Sequence, residues 1–235
     1  MADERNVFIN CPYDAEYWPF FDAICFTIQA CGFNPRCALE TMDSGKNRME
    51  RIYQIISQSR FSVHDLSRVE LNSAGLPRMN MPLELGIVLG ARQFGGMEHQ
   101  NKLCLVLDVE EHRYHKYISD ISGQDIHIYS GDISALIAIL RNFLSEFVGA
   151  FLPGYVELSA RYAQYRAALP YVCIDLNLTE DGLSFPDRKR IIYLVLKKFQ
   201  GAEESSLDTA YKLIALRLSK ADEQARSGND AAGVA

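Results

Sequence analysis

The feature that most constrains this chain is an alternation. Short apolar runs rich in β-branched and aromatic residues take turns with longer segments of helical period. The runs are "NVFINC" (6–11), "NPRCALE" (34–40), "RFSVHDL" (60–66), "NKLCLVLDV" (101–109) and "QDIHIYS" (124–130). Each reads as a strand, the fourth most clearly. Between the first three lie "YWPFFDAICFTIQACG" (17–32), with Gly32 as its stop, and "DSGKNRMERIYQIISQS" (43–59). In the latter, Met49, Ile52, Ile55 and Ile56 share one face, and Asp43 or Ser44 stands where a cap is needed. "MPLELGIVLGARQFG" (81–95), a short helical "HRYHKYISDI" (112–121) and "DISALIAILRNFLSEFVG" (132–149) follow, the last with Asp132 as its cap.

Strands that are apolar almost throughout belong to a parallel sheet covered on both faces. Five strand–helix units within residues 1–150 therefore predict an α/β domain, a flavodoxin-like doubly wound five-stranded parallel sheet. "FLPGY" (151–155) marks its end. A smaller, mostly helical segment is expected over 151–220, with helices near 155–168, 187–200 and 207–220. "VCIDLNLTEDGLSF" between the first two reads as a short strand or a turn, and 221–235 as a disordered tail. The run "RIIYLVLKKF" (190–199) has more apolar surface than a solvated helix should expose. It is expected to pack on the α/β domain or on a second subunit, giving the segment a coupling or assembly role.

Charge and composition exclude several function classes. The net charge of −6 argues against a surface that coats nucleic acid. The basic cluster "DRKRIIYLVLKK" reads as a solvated helix face. No apolar run approaches the roughly 20 residues that span a bilayer, and "MADERNV" carries no secretory core behind it. The expected location is the cytoplasm, with no membrane partner. The six cysteines form no CxxC pair and read as buried free thiols, so no metal site is expected.

In a doubly wound sheet, ligands bind beyond the carboxyl ends of the strands. Three polar loops are expected there: "CPYD" (11–14), "ETMDSGKNR" (40–48), and "HDLSR" (64–68) leading on to "RMNMPLELG" (78–86). Glu84 is the one carboxylate in that last stretch, on a helix otherwise apolar or neutral. With Pro82 in the first helical turn, Glu84 is expected in that turn too, kept ionised by the helix dipole, with Gly86 removing bulk beside it. A fixed anion suits cleavage of an N-glycosidic bond: it stabilises the positive charge that develops on the sugar, or attacks the anomeric carbon. A Glu that merely decorates a helix start remains the alternative.

"NVFINCPYD", "RFSVHDLSR" and "NMPLELGIVLGA" together resemble the nucleoside 2-deoxyribosyltransferase-like family and its relatives, the TIR-like NAD glycohydrolases, over residues 6–130. The resemblance implies a Pro-aromatic turn at the sugar pocket after the first strand, and an aspartate, Asp65, at the end of the third. It also implies a catalytic glutamate in Glu-x-Gly, here Glu84-Leu85-Gly86. The catalytic candidates are thus Glu84 and Asp65. Substrate-binding candidates are Cys11, Pro12 and Tyr13 in the first loop, Asp43 in the second, and Ser67, Arg68, Arg78 and Asn80 in the third. The arginines match phosphates and so favour a nucleotide over a free nucleoside. Just before the helix the chain reads "RMNMP", where the transferases carry an Asp-Ser/Gly-Gly-Thr-type stretch, which leaves the substrate open.

The expected activity is an N-glycosidase acting on NAD or a related nucleotide or nucleoside, with no further cofactor. The resemblance adds an expected role as an effector of prokaryotic immunity, switched on by self-association as a homo-oligomer or by a sensor or regulatory protein. A nucleotide-signal binding module without catalysis and a deoxyribosyltransferase of nucleotide salvage are the alternatives. An adaptor assembling through apolar surfaces accounts poorly for polar loops gathered around one carboxylate.

Overall fold

A computed structural model describes residues 3–45, 47–69, 78–148 and 151–199. Five strands form one parallel sheet: β1 (Asp3–Asn10), β2 (Asn34–Cys37), β3 (Ser59–Asp65), β4 (Leu103–Asp108) and β5 (Ile126–Ile128). Their order is β2-β1-β3-β4-β5 with every pair parallel, the flavodoxin-like arrangement. The helices are α1 (Trp18–Ala30), α2 (Arg48–Gln58), α3 (Asn80–Phe94), the single turn α4 (Met97–Gln100), α5 (Ile133–Ser145), α6 (Tyr155–Asp175) and α7 (Phe185–Phe199). No helix among the described residues is long and apolar enough to cross a membrane.

Right-handed crossovers decide which face each helix covers. The connection from β1 to β2 runs one way along the sheet, and those from β2 to β3 and from β3 to β4 run the other way, so α1 and α2 take opposite faces. Side chains of successive strand residues alternate accordingly. Phe8 packs with Ile52, Ile55 and Ile56 of α2 and Val88 of α3. Phe61 meets Phe33, Phe143 and Phe147 on the α1/α5 face. β2 tolerates Pro35 because it is an edge strand with no neighbour on one side. Lys102 is buried, and its ammonium donates to the carbonyl oxygens of Ile56 (2.6 Å) and Ser59. It thereby ties the end of α2, where the Ser59 N–H also donates to the Ile56 carbonyl, to the start of β3.

Several boundaries differ from expectation for local reasons. α1 ends at Ala30, and Gly32 takes φ +82, the left-handed stop that a β-carbon would penalise. α2 starts only at Arg48, capped by Asn47, whose side-chain oxygen accepts from the Met49 N–H at 2.8 Å. Asp43 lies outside that helix in its own turn, accepting from the Gly45 N–H at 2.9 Å. Asp132 does cap α5, accepting from Ala135 N–H at 2.6 Å. The 112–121 segment forms two short 3-10 turns, Arg113–Lys116 and Ser119–Ile121, instead of one helix. All six cysteines are free, and five are buried.

The first compact unit extends to Tyr162, past the "FLPGY" boundary and into α6. The Tyr162 hydroxyl donates to the Pro19 carbonyl at 2.6 Å and its ring meets Phe26 edge-on. The second unit begins at Ala163. Within it α6 continues to Asp175 and is followed by a 3-10 turn, Glu180–Gly182, so "VCIDLNLTEDGLSF" holds the end of a helix and a turn rather than a strand. α7 buries Ile191, Ile192, Val195 and Leu196 while Tyr193 stays exposed. The expected helix at 207–220, the tail at 221–235 and the loop residues 70–77 lie outside the described residues.

Candidate functional site

β1 is the strand at which the chain reverses its direction of travel across the sheet, and the crevice between β1 and β3 is where a doubly wound sheet takes its ligand. A cleft of about 470 Å³ opens there, within the usual range for small-molecule sites. Asn10 and the following Cys11, Pro12, Tyr13 and Asp14 form one wall. Arg48 at the start of α2 contributes a second, and Arg78 to Met81 with Glu84 contribute the third. A hollow of about 540 Å³ lies at the opposite, amino edge of the strands. Its Arg60 pairs with Glu4 and its Lys102 serves α2, so those charges have structural uses.

Glu84 sits on the sheet-facing stripe of α3 with Met81, Leu85 and Val88, at the expected i, i+3, i+4 spacing. The helix begins at Asn80, which places Glu84 in the second turn rather than the first. It reaches the cleft nonetheless, because helical side chains lean toward the helix N-terminus. Glu84 is buried, and no hydrogen bond or ion pair holds its carboxylate among the described residues. Burial pushes its pKa up to about 7, against a weaker downward pull from Arg48. A carboxylate kept firmly ionised by the dipole is therefore not what the structure shows: burial raises the pKa, and Glu84 lies beyond the first turn, where the dipole acts most strongly. Gly86 does not make room for Glu84 either. Two residues on, it points to the other side of α3 and faces open space.

A polar clasp holds α3 to the sheet beside the carboxylate. The Asn10 amide nitrogen donates to the Met81 carbonyl at 2.8 Å and lies 2.8 Å from His64 Nδ1. Because that nitrogen is a donor, Nδ1 accepts and the proton of neutral His64 sits on Nε2, which has no partner among the described residues. Burial drives the His64 pKa down to about 3, so the ring stays uncharged. His64 is a core histidine satisfied on one nitrogen only among the described residues.

Asp65 is not part of the cleft. It follows His64 in β3, so strand alternation turns its side chain to the opposite, α1 face. There its Oδ1 accepts from the Ser67 N–H at 2.7 Å, and its Oδ2 accepts from the hydroxyls of Tyr17 and of Tyr129, the latter at 3.0 Å. It is fully buried, and burial raises its pKa against the downward effect of these donors. The carboxylate organises the strand ends and is closed off from a ligand by two phenol rings. Ser67 goes with it, since its backbone serves Asp65.

The other candidates divide. Cys11, Pro12, Tyr13, Arg78 and Asn80 line the cleft, whereas Asp43, Ser67 and Arg68 do not. Burial holds the Cys11 thiol and Tyr13 phenol well above their ordinary pKa values, so both are neutral. Arg78 donates to Asp14 Oδ2 at 2.7 Å. Arg68 donates to Glu16 at 2.8 Å and stands 3.8 Å from Asp14. Both arginines are thus drawn to the acidic first loop. Asn10, Asp14, Arg48, Met79 and Met81 complete the cleft without having been singled out. The signal for Asp14 and Arg48 was present in the polar loops "CPYD" and "ETMDSGKNR". That for Asn10 was a polar residue closing an apolar strand.

No family model, curated protein or solved structure matches the chain.

Proposed function

We propose that this protein breaks an N-glycosidic bond of NAD or a related nucleotide or nucleoside in the cleft at the β1/β3 crevice. The observation that carries the reading is Glu84. It is a carboxylate on the buried stripe of a helix, without a partner among the described residues, and it faces a cleft of ligand size. Nothing in the packing of α3 calls for that charge, and burying it works against folding. A group retained at such a disadvantage belongs to the chemistry of its site.

In the proposed step the bond from the anomeric carbon C1′ to the base nitrogen breaks, and its electron pair leaves with the base. Positive charge develops on C1′ and the ring oxygen, facing the Glu84 carboxylate. Water then adds to C1′, directly or by displacing a covalent Glu84 ester, and its proton passes to the departed base or, where the base leaves neutral as nicotinamide does, to solvent. Another base as acceptor in place of water would make the same site a transferase. The ionised form of Glu84 is the working form, and a cationic nicotinamide ring close by favours it.

The resemblance noted in the sequence extends the proposal to an effector of prokaryotic immunity, active on self-association or on contact with a sensor. The test is direct. Full-length protein is incubated with NAD, nucleotides and nucleosides, and the free base is separated and quantified. Release by the wild-type chain and its loss in Glu84→Gln support the proposal. Equal release by both proteins would remove Glu84 from the chemistry, and no release from any substrate, with the cleft shown to bind it, would leave a binding module.

A further inference from the structure

Arg48 stands apart from the other cations near the cleft. Asp14 is approached by two arginines, Arg78 at 2.7 Å and Arg68 at 3.8 Å. Arg68 lies nearer Glu16, at 2.8 Å, so the two acids of the first loop are matched by these two arginines. Arg48 lines the same cleft from the first residue of α2 and makes no hydrogen bond or ion pair with any described residue. Across the cleft is the start of α3, where no side chain caps the helix and Met79, Asn80 and Met81 form the lining. Uncapped helix starts present N–H donors and the positive end of the dipole. Beside them lies Glu84, more than nine-tenths buried and without a partner, which marks the cleft as built for a ligand.

We propose that Arg48 and the start of α3 form a phosphate subsite, so that the cleft selects a nucleotide, carrying a 5′-phosphate or a pyrophosphate, over the free nucleoside. Arg48 is the specificity-determining residue. The guanidinium fork matches phosphate oxygens, and Arg48 has no hydrogen bond or ion pair among the described residues to break, only its electrostatic pull on Glu84. Arg78 has to leave Asp14 to do the same. Glu84 repels the phosphate least where the two are farthest apart, which places the phosphate at the mouth and the sugar inward. The inference rests on the reading of the cleft as a nucleotide site, but binding alone tests it.

The experiment is titration calorimetry on the full-length chain in the Glu84→Gln background, with AMP against adenosine, CMP against cytidine, and NAD. The phosphorylated member of at least one pair is expected to bind about tenfold to a hundredfold more tightly, the range of a charge-assisted hydrogen bond. Arg48→Ala and Arg48→Gln should abolish that preference and leave nucleoside affinity unchanged, while Arg78→Ala reduces it less. Arg48 is exposed, so both variants are expected to fold, and circular dichroism checks this. A preference that survives both Arg48 variants overturns the proposal, as does nucleoside binding that weakens in parallel. So does the absence of any preference in the parent. A phosphate preference in a protein that releases no base would sink the catalytic proposal and leave this one standing.

Discussion

Glu84→Gln should inactivate the protein and stabilise it, by an amount that depends on pH. The carboxyl pKa rises from 4.5 to about 7 on folding. A group whose folded pKa is raised binds its proton more tightly in the native state. Its penalty is therefore absent below about pH 4.5, grows through the window, and is complete above about pH 7. That rise, at about 1.36 kcal/mol for each tenfold change in proton affinity, gives about 3 kcal/mol. Gln keeps the shape and polarity of the protonated acid and never acquires the charge. The variant should match wild type near pH 4.5 and exceed it by about 3 kcal/mol at pH 8. For a domain of this size that is on the order of 6–12 °C in Tm. Differential scanning fluorimetry of both proteins across pH 4.5–8.5, with base release measured in parallel, provides the test. A Tm difference that stays constant with pH, or a variant less stable at pH 8, would show that Glu84 is not a desolvated carboxylate. The site would then lose its central feature.

The pH profile of base release should carry an acid limb near 7 in kcat/KM, because the ionised Glu84 is needed, and Arg48→Ala should move that limb upward by removing the nearby cation; a flat profile from pH 5 to 8 would contradict this. Asn10→Ala breaks the clasp between His64 and the start of α3, so we expect a loss of about 1–3 kcal/mol in denaturant unfolding, with kcat falling more than Glu84-independent binding of the product. Lys102→Met removes the ammonium donor to the carbonyls of Ile56, which keeps the Ser59 N–H, and of Ser59, and should lower stability by about 1–3 kcal/mol while base release at saturating substrate is unchanged.

The α/β architecture was legible in the chain because its signals are local. A strand buried on both faces must be apolar throughout, and "NKLCLVLDV" or "NVFINC" has few other folded destinies. Glu84 was legible for the same reason: a lone charge on an apolar helical stripe is visible without any tertiary contact. Boundaries were less so. Asp43, Ser44 and Asn47 are all competent caps; Asp43 is engaged in its own turn with the Gly45 N–H, and Asn47 caps the helix that starts at Arg48.

What tertiary structure alone decided concerns pairs of residues far apart in sequence. His64 and Asp65 are adjacent, yet strand alternation and the crossovers send one toward α3 and the other to Tyr17 and Tyr129. An aspartate at a strand end therefore read as a site residue and proved to be a structural one. Arg78 and Arg68 read as free phosphate ligands, but each meets an acid more than fifty residues away, at the first loop. The ionisation of Glu84 was also beyond reach of the sequence. The helix dipole is a local property that can be read from position, whereas desolvation depends on everything packed around the carboxyl group. Here that packing raises the Glu84 pKa to about 7.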